Sequence, residues 1–547
     1  VNTPLDRLVL CCAAALLMLF ADVAVAGAEG TPPNGGKWST PTILSDCPGT
    51  GAPHVVFPDD SPTQGTGPGA IVWSVTAPCP TGAGVLVAPI SSAADLPGQP
   101  AAPRTAAGAA IALQGPVDAT GGPYGRVVIA AASAGEPEPG SGPGLAAGKK
   151  GAPAGGPGIR GRGAPKGDRD RGTREGELLL TEGPAGGPFA APLALGGPAS
   201  TFAFATAYLG DVALASVSDI QPPISATPRG RGGGHRETGR AGSVHRGKAI
   251  AGTGASAPGD AAPGVTGALQ LRVQRHHAQR FAAPAEVTAT GADAGSIEAL
   301  TVALDFRSDR LVVFSREGSL LARELPGKGA PHALQRLGPS PPSRARIAAV
   351  ISDDGRAIVA WTVRHGGLTS VYISHSQPGV RFTEPQLLEE FPDPPGLPGY
   401  VDSPQIVRLS SESVILAWTG AVAGHWAIRA AAIDQRGVLP PSTISAAGHD
   451  ALLAGLAPGP NDEALALWSE PQPSTAGLDL GSQAIYAARG FDGYPEQVKF
   501  AAPELLAPPG PNSDATVAFD PDSDRAIAAW RTGAGALAYS VRASGAP

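Results

Sequence analysis

A four-strand unit recurs along this chain, and its last copy is split between the two ends of the sequence. The clearest copy begins IAAVIS, turns at Asp353-Asp354-Gly355, continues RAIVAWTV, and then gives SVYISHS and FTEPQLL. The copies that follow read QIVRLS, SVILAWTG, WAIRAAAI and STISAAG, then ALLAGLAP, EALALWSE, QAIYAAR and AAPELLAP. These are apolar runs of strand length, punctuated by Gly, Pro, Asp and Ser, with no helical apolar period sustained over several turns. Earlier copies are more degraded, and the outer strand of the first cannot be placed between Ser91 and Thr105. Second strands fall at 69-76, 125-133, 210-219, 309-317, 356-363, 413-419, 464-470 and 525-532, which predicts an all-β propeller of eight blades. Seven would follow if one degraded copy were not a blade.

The final copy, ATVAFDP, RAIAAWRTG and LAYSVRA, stops one strand short, while residues 38-46 near the other end, WSTPTILSD, have the look of a fourth strand. A ring that borrows its last outer strand from the other end of the chain explains both irregularities, and closure protects sheet edges. Two β-sandwich domains, the competing architecture, do not predict a shared unit. Trp73, Trp361, Trp418, Trp468 and Trp530 occupy one repeat position near the end of the second strand, with Phe314 in the same place in another copy. An aromatic binding platform is the functional reading of that pattern. Rings filling the widening space between blades is the structural reading, and it is preferred as the repeat core.

Arg7, the apolar run from Leu8 to Ala21 and the small residues after it predict a secretory signal peptide over residues 1-28. The run is short for a membrane span and no later one is longer, so residues 29-547 are expected to form a single soluble propeller domain, monomeric and secreted or cell-surface associated. The 58 Pro count against long helices. In an exported chain, Cys47 and Cys79 form an even pair and a disulfide is the default. Cys47 follows the borrowed strand and Cys79 lies in the loop between the second and third strands of the first blade, so both should emerge on one face where the ring closes.

Two low-complexity inserts, at about 134-175 and 220-265, interrupt the same kind of loop in the second and third blades. Lys149 to Glu177 holds eight Lys or Arg against four acids, and Gln221 to Val265 six against two. Together they carry +8 in a chain of net charge -7, which leaves -15 elsewhere. Such basic segments suit an anionic polysaccharide or cell-surface polymer. The candidates are Arg160, Arg162, Arg169, Arg171, Arg174, Arg229, Arg231, Arg236, Arg240, Arg246 and Lys248. Solvated low-complexity loops are the plainer reading. Nucleic acid is not the expected partner, because few aromatics are interleaved for base stacking.

Chemistry is harder to find. Asp520, Asp522 and Asp524 alternate in FDPDSDR and form a weak metal candidate, without the Gly and terminal Glu of a calcium loop; a charged turn is the preferred reading. His276-His277 has no partner motif, and no GxSxG, HExxH or GxxxxGK segment is present, so no metal, cofactor or catalytic residue is assigned.

Ser352-Asp353-Asp354-Gly355 with Trp361 is similar to the Asp box of sialidase repeats, and the pattern over residues 38-547 resembles exported bacterial β-propellers of the sialidase/BNR-like group. Asp boxes lie between the third and fourth strands, whereas this text lies between the first and second and its Trp spacing differs. What the resemblance implies for an enzyme is an arginine cluster, a Tyr nucleophile with a supporting Glu, and an acidic proton donor. Tyr372, Tyr400, Tyr486, Tyr494, Glu470 and Asp402 are available, with nothing in the sequence joining them to an arginine cluster. The expected function is noncatalytic binding or surface interaction, with a sialidase-like glycan-active hydrolase or lyase as the alternative.

Overall fold

The computed structural model describes most of residues 37–543; outside it lie residues 1–36, the inserts within 134–176 and 220–266, several short loop stretches and residues 544–547. The expected signal peptide therefore lies outside the described residues. Among those described there is no helix, and the strands form eight blades arranged in a ring, a β-propeller. All eight expected second strands are present, for example Gly69–Val75, Arg310–Arg316, Ala357–His365 and Ala526–Thr532.

First strands line the inside. Each contacts the first strand of the next blade, and Ser513–Phe519 of the eighth contacts His54–Val56 of the first, so the ring is complete. Closure follows the predicted route. Thr42–Ser45 pairs antiparallel with Ala536–Arg542, matching Thr42 to Tyr539 and Ile43 to Ala538. A bridge between Trp38 and Arg542 extends the seam, and the Ser39 amide donates to the Val541 carbonyl at 2.8 Å.

Outer positions are the least regular. In the first blade the fourth position is held, among the described residues, by bridges from Val87 to Ala101 and from Ile90 to Pro97, within the stretch where no strand could be placed from sequence. The sixth and seventh blades split theirs into two short pieces on either side of Pro440-Pro441 and Pro503. An outer strand has one unpaired edge, so a residue lacking an amide hydrogen is tolerated there.

The repeat aromatics face the preceding blade. Trp361 packs with Leu311, Val313 and Leu320 of the fourth blade, Trp418 with Ile358 and Val371 of the fifth, and Trp468 with Ile415 and Ile428 of the sixth. Trp530 joins Leu465 and Ile485 of the seventh; Phe314 joins Ala213 and Leu271 of the third. Trp73 carries the pattern across the closure to Ile527 and Leu537 of the eighth. All six rings are fully buried. They form a wedge between neighbouring blades, and their burial leaves none of them exposed as a binding platform.

Candidate functional site

Loops joining first to second strands, and third to fourth, share one face of the ring. On that face a cleft of about 650 Å³ opens between the fourth and fifth blades. The strand ends that flank the inserts, at Ser133 and Glu177 and at Asp219 and Gly267, are on the opposite face.

One wall of the cleft is the turn between Ile297–Leu304 and Arg310–Arg316. The Asp305 carboxylate accepts the Asp309 amide at 2.7 Å, and the Asp309 carboxylate accepts the Gly327 amide at 2.6 Å. Ser308, at φ 63°, donates from Oγ to Asp211 of the third blade at 2.7 Å. The turn is thus fixed from both sides, and it carries Arg307, Asp309 and Arg310 into the lining of the cleft. Arg310 donates to the Leu325 and Pro326 carbonyls at 3.0 and 2.5 Å. Burial, and then the neighbouring Arg275, lower its pKa below the usual guanidinium range. Lys328, exposed in the following loop, supplies a third cation to the lining. Burial pushes Asp305 up to about 6, with the Asp309 amide opposing.

Glu324 and His332 form the floor. His332 Nδ1 lies 2.9 Å from Glu324 Oε2, and Ser376 Oγ of the fifth blade donates to Glu324 Oε1 at 2.5 Å. The His332 amide also donates to the Glu324 carbonyl, and Arg323 Nε donates to the His332 carbonyl at 3.0 Å. Glu324 is therefore engaged on both oxygens, as Arg310 is engaged by the Leu325 and Pro326 carbonyls, while Arg307 and Lys328 are exposed.

The far wall includes the Asp-box-like turn, between Ile347–Ile351 and Ala357–His365 as the sequence placed it. Ser352 is buried; its hydroxyl donates to Asp354 Oδ1 at 2.5 Å, and the Arg356 amide donates to the same oxygen at 3.0 Å. Burial opposes ionisation of Asp354, but these bonds outweigh it and hold its carboxyl below the usual range. Gly355, at φ 83°, closes the turn. Asp354 is consumed in shaping the loop and Asp353 lies outside the described residues.

The other sequence candidates fall elsewhere. Every candidate Arg and Lys of the inserts lies outside the described residues, as do Cys79, Tyr400, Asp402, Tyr494, His276-His277, Asp522 and Asp524. Cys47 is partly buried against the core shared by the first and eighth blades. Asp520 is buried and paired with Arg525 at 2.6 Å. Glu470 and Tyr486 do come together on the opposite face. The Trp468 indole donates to Glu470 Oε1 at 3.1 Å, His449 lies 3.7 Å from Oε2, and Tyr486 stacks on Trp468 at 6.1 Å. Burial raises both pKa values, and the charge of Glu470 adds to the rise at Tyr486. Tyr372 stacks on Trp361 in the same register at 5.7 Å, so the Trp–Tyr pair is a repeat feature. The described polar partners of Glu470 are Trp468 and His449, with no arginine among them.

The cleft itself escaped sequence reasoning, although Arg307, Arg310 and Lys328 sit in turns that could be placed from sequence. Nothing in the local text distinguishes them from solvated turn charges.

No protein-family model matches the chain, and no curated protein matches it. Among solved structures it is similar to a prolyl endopeptidase, at 11% identity and TM-score 0.36, covering 78% of this chain and 49% of that one. The chain thus spans about half the length of that enzyme. It is also similar to a protein of unknown function from Dyadobacter fermentans DSM 18053, at 11% identity and TM-score 0.33, covering 78% and 94%. A polysaccharide lyase of the PL25 ulvan lyase family is similar at 9% identity and TM-score 0.35, covering 66% and 86%. None of these likenesses assigns a role to a residue of this chain.

Proposed function

We propose that this is an exported binding propeller of the sialidase-like repeat group, which captures an anionic polymer or glycan in the cleft between its fourth and fifth blades. The observation that carries the reading is the meeting of Arg307, Arg310 and Lys328 in one concave site, on a body that is net acidic outside its inserts. Concave walls of low dielectric focus the field of such cations, so the site attracts anions even though the chain as a whole repels them. Asp309 and Glu324 keep their charge in the same lining, held by the Gly327 amide and by His332 and Ser376, and the three cations outnumber these two carboxylates. The basic inserts, whose flanking strands end on the other face, are proposed as a second and separate contact for the same class of polymer.

Equilibrium binding to polygalacturonate at low salt tests the cleft. Lys328→Glu should weaken binding about five- to tenfold, with the difference shrinking as salt rises. Binding unchanged in Lys328→Glu but lost on deletion of both inserts would move the function to the opposite face.

A further inference from the structure

The cleft does not end at His332. A second one, of about 520 Å³, shares Glu324, His332 and Gly379 with the first and continues outward between the same two blades. Its lining brings Arg336 and Arg381, both exposed, and the aliphatic side chains of Leu334 and Val380. Those two are 42% and 57% exposed, unusual for large apolar residues in this protein. Arg336 and Arg381 make no ion pair among the described residues, and the one acid in the outer lining that is absent from the inner, Glu384, is exposed.

We infer that the two clefts are successive sections of one trough for an extended acidic polysaccharide, whose anionic groups reach the cations at both ends while its uncharged middle crosses Glu324 and His332. This rests on the proposed capture of an anion in the inner section. A single small anion would use only that section. Two cationic ends separated by the Glu324 carboxylate call for a ligand whose negative charges are spaced apart. Exposed Leu334 and Val380 offer contact for the C–H faces of sugar rings. The outer lining has no exposed aromatic on which a base could stack, which favours a polysaccharide over a single-stranded nucleic acid.

A linked second contact adds avidity without changing the first. Binding of galacturonate oligomers of increasing length should therefore rise steeply once a chain reaches both sections. Arg336→Glu with Arg381→Glu should remove that rise, lowering affinity for long oligomers by at least about tenfold while leaving the shortest binding oligomer unaffected. Lys328→Glu should weaken long and short oligomers alike. Length-independent binding that still responds to Lys328→Glu would overturn the trough and leave anion capture standing. Loss of neither with any variant would overturn both. Tighter binding of a single-stranded oligonucleotide than of a long oligouronate, at equal salt, would overturn the polysaccharide assignment. Because the outer pair is exposed, thermal melting of the double variant should match the parent.

Discussion

Asp305 shows how much a single residue here is held against its own preference. It is 1% exposed and its Oδ2 has no hydrogen-bond partner among the described residues, an arrangement that costs stability whenever the carboxyl is ionised. The sign of its pH dependence follows from its pKa, near 6 folded and 3.8 as a free side chain. Between those values the folded state binds the extra proton, so its contribution to stability falls as pH rises and stays low above about 6. Asp305→Asn keeps an oxygen for the Asp309 amide and removes the charge. It should stabilise the protein by about 2 kcal/mol near neutral pH and by almost nothing near pH 4, read by denaturant melts at both values. An equal effect at both would place the cost elsewhere. The repeat aromatics act at the same scale. Trp361→Ala should cost about 3–5 kcal/mol, since it empties the wedge between the fourth and fifth blades, whereas the exposed Leu334→Ala should cost little.

At the scale of elements, the closing strand and the turns carry the argument. Thr42–Ser45 completes the eighth blade by backbone pairing, with Leu44 packed on the core shared by the first and eighth blades and the Val541 amide donating to Ser39 Oγ at 3.0 Å. Just beyond it Gly49 lies so close to Arg531 and the Ser74 carbonyl that a Cβ would sit 2.3 Å from each. Arg531 in turn donates to the Ser74 carbonyl at 2.8 Å, tying the eighth blade to the first. Gly49→Ala should therefore loosen the closure and lower the melting temperature, while Gly424→Ala, at a turn with open space and φ 86°, should pay only the smaller backbone cost. A greater loss at Gly424 would contradict this. The Asp-box-like turn was legible as a turn, because Ser, Asp and Gly state their hydrogen bonds locally. Its role as a wall of the cleft was not, because the opposite wall belongs to a turn about 45 residues earlier in the chain.

For the molecule as a whole, closure decides both stability and the division of faces. The disulfide expected between Cys47 and Cys79 would convert the noncovalent seam into a covalent one; a mass decrease of two hydrogens in the unreduced chain, and a lower melting temperature after reduction, are the outcomes that support it. Two free thiols by mass would remove it. The repeat, the strand positions and the borrowed outer strand were legible in the sequence, which left seven blades or eight open. Each of these follows from periodicity and from the poor match of bulky apolar groups to water, which are written locally and repeated eight times. Which charged turns face one another is set by the packing of neighbouring blades. Arg310, Lys328 and Glu324 reach the same cleft as Gly355 and Gly379 because the Trp361 wedge sets the fourth and fifth blades side by side. A charge in a turn has the same local sequence whether it points into solvent or across a blade boundary, and the distinction appears only once the ring has closed.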